Sequence, residues 1–231
     1  MGMLPLEKVS FDTAGLELEG DRDNIRVWRD RFGDAVLLYF FPVPPDIEVD
    51  PHSLVDLREF YRARCAGGSS VIIEVETICA DECNAIRTIV KSPQEPSGMA
   101  YVGSIILPFR DFSYVVKVQC EEHGTTGVRD AVVFDRMLAS GEVKITQAGR
   151  LEGWMQDPYD PEWVGRLARN RAEDERFDEE FPDHPLSRVR SVLRQAQGTL
   201  RVAPEVKAEP KFVVKDRSKG VPWWRRWLGT R

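Results

Sequence analysis

Seven side chains of this 231-residue chain have the chemistry of metal ligands or nucleophiles: Cys65, Cys79, Cys83, Cys120, His52, His123 and His184. Cys79-x3-Cys83 and Cys120-x2-His123 are spaced like two halves of a zinc site. Zinc needs four such ligands within about 2.0–2.3 Å of one point. The strand order derived below puts the two pairs at opposite ends of a sheet, so small unpaired thiols are expected instead. A Cys79–Cys83 disulfide would require an oxidising compartment. The start, MGMLPLEKVS, has no basic cluster followed by an apolar run, so a cytoplasmic, reducing setting is expected. A cysteine nucleophile needs a histidine and an orienting group, and no histidine stands in such a motif. GxSxG, GxxxxGK[ST], HExxH and GxGxxG are all missing. The expectation is no catalytic residue, no metal, no cofactor, and three solvated histidines.

The aromatic and charged segments are more distinctive. In WMQDPYDPEW (154–163), Asp160, Pro161 and Glu162 suit a helix N-terminus. Trp154, Tyr159 and Trp163 then either build a turn and helix or form an exposed docking loop. Residues 173–183, EDERFDEEFPD, hold seven acids. Phe177 and Phe181 are expected to face the body while the acids stay solvated. A last helix follows His184-Pro185, capped by Asp183. Its stripe is Leu186, Val189 and Leu193, with Arg188, Arg190 and Arg194 facing out.

The chain ends in VPWWRRWLGTR. Trp223, Trp224, Trp227 and Leu228 share one side if this stretch is helical, beside Arg225 and Arg226. Tryptophan and arginine favour interfaces. Three roles compete: docking on a partner protein, packing back on the parent domain, and weak membrane-surface contact.

Charge divides the chain in the same way. The total is −6, with −8 on residues 1–150, −3 on 151–202 and +5 on 203–231. An acidic body argues against nucleic-acid partners. With 42% hydrophobic residues the chain can build a core, yet no apolar run reaches the roughly 18–20 residues that span a bilayer. The division expected is a folded domain over 1–150, a helical extension over 151–202 and a basic tail over 203–231.

Positioning falls to strands. VIIEVETIC, NAIRTIVK, MAYVGSIILPF and FSYVVKVQC are joined by short links, which makes 71–120 an antiparallel meander. KVSFDTAGLELEG, DNIRVWRD and AVLLYFFPV are three earlier strands, the last apolar on both faces like a central strand. A helix follows Asp50-Pro51 with Leu54, Leu57 and Tyr61 inward. Another follows Gly124-Thr125-Thr126 with Val128, Ala131, Val132 and Leu138 on its face. The order β-β-β-α-β-β-β-β-α predicts an α+β fold, an antiparallel sheet with helices on one face, plus the helical extension.

This order over about 6–140, with YVGSIILPFRDFSYVVKVQCEE and GTTGVRDAV, resembles the PsbP-like superfamily. Its members are mostly binding proteins, in bacteria among other organisms. The resemblance implies a non-enzymatic adaptor or chaperone-like protein that binds another protein. It implies no site residue by itself. The partner-binding candidates remain Trp154, Tyr159, Trp163, Trp223, Trp224, Arg225, Arg226, Trp227 and Leu228. The alternatives are a soluble enzyme or small-ligand binder with an unrecognised site, and a membrane-peripheral protein held by its tail. Oligomeric state is not legible.

Overall fold

The computed structural model describes residues 6–66, 68–160 and 169–214. Seven strands form one sheet: β1 (Glu17–Arg22), β2 (Ile25–Arg29), β3 (Ala35–Phe41), β4 (Val71–Ala80), β5 (Cys83–Pro93), β6 (Met99–Pro108) and β7 (Ser113–Glu121). Every neighbouring pair is antiparallel, in the spatial order β1-β2-β3-β7-β6-β5-β4. Four α-helices accompany it among the described residues: α1 (Leu54–Ala66), α2 (Val128–Ser140), α3 (Pro185–Thr199) and α4 (Pro204–Lys207). The fold is α+β, and the meander lies where the alternation of side chains put it.

The first expected strand, 8–20, is divided. Val9–Ser10 leaves the sheet to pair with Arg201–Val202, and β1 starts only at Glu17. Gly15, with φ of 79°, makes the turn between them; positive φ costs glycine nothing because it lacks Cβ. At the β4–β5 hairpin, Asp81 and Glu82 take positive φ of 46° and 66°, the hand that matches strand twist in a two-residue turn. Asp81 accepts a 2.7 Å hydrogen bond from the Val202 amide and pairs with Lys207 at 3.0 Å. These contacts hold the strained turn against the C-terminal segment.

The helices do not share one face. Successive residues of a strand point to opposite sides of a sheet. Ile105 lies in the main core with Leu186, Val189 and Leu193 of α3, whereas its neighbour Ile106 packs against the cluster of Leu57 from α1. The two helices therefore cover opposite faces. Gly103 brings α3 close, since a Cβ there would stand 2.6 Å from Leu193 and Val189 side-chain atoms. Leu186, Val189, Leu193 and Ala196 are all buried at helical spacing. Each contributes on the order of 1–3 kcal/mol through burial. Residues 185–199 are thus the principal helix of the core and not an extension beside it. The first 12 residues of the basic segment belong to the body as well: Val206 is fully buried and Phe212 nearly so.

Residues 169–181, α2 and the segment after it form a third cluster, Val133, Met137, Val143, Trp154 and Ala172, with Phe134, Phe177 and Phe181 packed against it. The buried stripe of α2 is Arg129, Val133 and Met137, one residue round from the expected face; Val128, Val132 and Leu138 are exposed. Among the described residues no helix is long and apolar enough to cross a membrane.

Candidate functional site

Register places side chains of five strands in one apolar row. Ile25 pairs with Tyr39, Tyr39 with Val115, Val115 with Ile106, and Ile106 with Ile86. A second row starts alongside with Val27 and Leu37, then turns polar at Lys117 and Ser104. All point away from α3. At one end α1 and Phe212 cover Ile86. At the other, Ile25, Val27, Leu37, Tyr39 and Val115 are half-exposed and belong to none of the three buried clusters. Tyr39 stacks on Phe41 at 5.3 Å with 17° between the rings, and Phe41 is 41% exposed. β-branched and aromatic residues are what a pleated, half-buried surface favours. Here, among the described residues, they build a face with no layer on it, and an apolar patch of this kind is a candidate contact surface.

The other face ends in a buried polar network. Glu173, fully buried, meets Lys91 Nζ at 2.7 Å, accepts from Tyr101 Oη at 3.1 Å and from the Asn170 amide at 2.8 Å. Asn170 Nδ2 donates to Asp130 at 2.8 Å. Burial, with the Glu173 charge nearby, raises the Asp130 carboxyl to about 6. Arg129, 1% exposed, donates to the Ala172 and Asp174 carbonyls at 2.6 and 2.9 Å and to Ser187 Oγ at 2.8 Å. It and Arg190 share the Asp178 carboxylate at 3.0 and 2.9 Å. Two of the seven acids and one arginine expected in solvent are therefore buried. They hold residues 169–190 on the sheet, because leaving any one of these charges unpaired would be costly.

His184, not Asp183, caps α3: its Nδ1 accepts from the Leu186 amide at 3.2 Å. Burial, then the charges of Arg129, Arg188, Arg190 and Lys91, pull its pKa down to about 3. It is neutral at pH 7, so the 3.8 Å approach of its Nε2 to Glu122 is not an ion pair. This histidine is a packed cap and not a solvated one. A cavity of about 570 Å³ opens beside it, lined by Phe32, Glu122, Phe181 and Arg188. Arg188 is taken up by Asp34 at 2.6 and 2.9 Å, and both Glu122 oxygens accept backbone amides at 2.9 Å. These charges already serve the fold.

The cysteines are free, and Cys79 and Cys83 lie on opposite faces of the hairpin: Cys79 pairs with Asn84 while Cys83 pairs with Ala80. Cys120, opposite Tyr101, is at the other end of the sheet. Burial raises the Cys83 and Cys120 thiols above their ordinary range. Among the described residues no three His, Cys, Asp or Glu side chains are placed to hold a metal.

Of the expected partner-binding residues, Trp154 and Tyr159 are turned inward. Trp154 is 9% exposed, edge-on to Phe134. Tyr159 Oη accepts the Val75 amide at 2.6 Å, and the Arg58 guanidinium lies 3.7 Å from the Tyr159 ring centre. It thereby satisfies backbone on the edge strand β4, which would otherwise be open to pairing. Both serve the fold, which takes them out of an exposed docking loop. Trp163, Trp223, Trp224, Arg225, Arg226, Trp227 and Leu228 lie outside the described residues. The signal for the open row is in AVLLYFF, apolar on both faces: the pattern suits a central strand buried on both sides, and the structure buries only Val36, Leu38 and Phe40 on one of them. The chain matches no protein-family model and no curated protein, so its functional reading rests on its own geometry.

Proposed function

We propose that this chain is a non-enzymatic, PsbP-like interaction protein of the cytoplasm that docks another protein on the open face of its sheet. The observation that carries the reading is the row Ile25–Tyr39–Val115–Ile106, half-exposed at its Ile25 end and continuous with the buried core at its Ile106 end. Aromatic anchors surrounded by aliphatic contacts are the composition from which interface energy comes. Four unpaired thiols suit a reducing compartment. The Trp/Arg segment, with Trp223, Trp224, Arg225, Arg226, Trp227 and Leu228, adds a second set of contacts.

The test compares capture of bound protein from the native source by the full chain, by Leu37→Glu/Val115→Glu, and by Leu138→Glu on exposed α2. Loss of the bound protein with the face variant alone supports the reading. Equal capture by all three contradicts it.

A further inference from the structure

The open part of the sheet is as wide as one helix. On this side α1 sets Leu57 and Phe60 over Val75, Ile86 and Ile106, which belong to β4, β5 and β6. Beside it, β1, β2, β3 and β7 carry the half-exposed patch, and its members belong to no buried cluster among the described residues. Three strand steps of about 4.8 Å make this strip about 14 Å wide. An α-helix with its side chains is about 10–12 Å across. Along β3 the open-facing positions are Ala35, Leu37, Tyr39 and Phe41. They run for about 20 Å, the length of about 13 residues of helix.

The charges at the flanks are basic, although the whole chain carries −6. On the β1 flank Arg22 stands opposite Ile25 and is exposed. On the β7 flank Lys117 stands opposite Leu37 and is half-exposed. Neither has an ion-pair partner among the described residues. The neighbouring acids are engaged or lie off the strip. Glu19 pairs with Arg29 and Asp21 with Arg26. Glu17 stands opposite Arg29, and Glu121, at the far end of β7, accepts from Gln119. Asp23 lies in the β1–β2 turn.

We propose that the strip receives an amphipathic helix of a partner protein, laid along β3 beside α1, with acidic residues on both flanks of its apolar stripe. The proposal rests on this face being the docking surface and adds the kind of partner that fits it. An apolar stripe at helical spacing fills such a groove, and acids beside the stripe meet Arg22 on one flank and Lys117 on the other. Charge selects this occupant over a second copy, because two copies packed face to face would set the same unpaired cations against each other.

The test titrates the full chain, labelled at its Ile, Leu and Val methyl groups, with three synthetic peptides and follows the methyl resonances. The first is a helix-forming peptide with leucines at i, i+3, i+4 and i+7 flanked by glutamates. The second has lysine for each glutamate, and the third has the composition of the first in shuffled order. The expected result is that the glutamate peptide shifts the methyls of Ile25, Val27, Leu37 and Val115, leaves Leu138 on α2 unmoved, and binds more tightly than either control. Arg22→Glu/Lys117→Glu, with its own methyl spectrum showing the native fold, should weaken that binding roughly tenfold and turn the preference toward the lysine peptide. Absence of shifts at those four residues, equal binding of the shuffled peptide, or an affinity that charge reversal leaves unchanged would overturn the proposal. So would shifts of the same methyls on concentrating the protein alone, the mark of a second copy. If any of these occurs while Leu37→Glu/Val115→Glu still loses its bound protein, the docking surface stands and only the acidic helix falls.

Discussion

One sheet carries two unlike faces. Under α3, Val36, Leu38, Ile105, Val116 and Val118 are each at most 1% exposed. On the opposite side their neighbours Ala35, Leu37, Ile106, Val115 and Lys117 are half-exposed. The strands are the same; only the covering layer differs. A strand that is apolar on both faces therefore builds a core on one side and, among the described residues, a half-exposed apolar face on the other, and the placement of helices decides which is which.

The largest effect expected is at the border of the closed face. Lys91→Met leaves the fully buried Glu173 without its cation, and breaking one side of a buried pair costs about 3–5 kcal/mol. Urea unfolding measures it, and a loss below 1 kcal/mol would show that Glu173 is not held as described. Adjacent residues of β3 sharpen the contrast. Leu38→Ala on the closed face should cost about 2–5 kcal/mol, whereas Leu37→Ala should stay near 1 kcal/mol or less. Equal losses would mean that both faces are covered.

The pH dependence separates the closed face by titration. His184 has its pKa pulled down to about 3, so the unfolded chain binds a proton that the folded chain refuses. Its stabilising share is complete above its ordinary value of about 6.5 and is lost as pH falls toward 3. Asp130 works in the opposite sense: raised to about 6, it holds a proton in the folded state that the unfolded chain has released. Acidification below 6 therefore restores stability through Asp130. His184→Asn keeps a capping oxygen and removes only the first effect. Between pH 7 and 5 the wild type should lose about 2 kcal/mol more than this variant. A pH-independent difference would contradict a buried neutral His184.

Local patterns made the strands legible, because alternation is a property of neighbouring residues. The stripe Leu186–Val189–Leu193 was legible too, but not its counterpart, Gly103 in β6, more than 80 residues away. For the same reason the acids of 173–183 read as solvated: nothing near Glu173 announces Lys91 and Tyr101. Arg129 shows this most plainly. Its distant partners Ser187 and Asp178 turn α2 so that an arginine faces inward and Val128 outward. Period-2 reading found the residues of the open row but not that the face is open, since coverage is decided by tertiary packing.

The central claim is that the open face docks a protein, and capture with the Leu37→Glu/Val115→Glu variant tests it most directly. The expected result is a folded variant, by near-ultraviolet circular dichroism and unfolding midpoint, that no longer retains the protein bound by the wild type. The same bound protein in equal amount on that folded variant would contradict it.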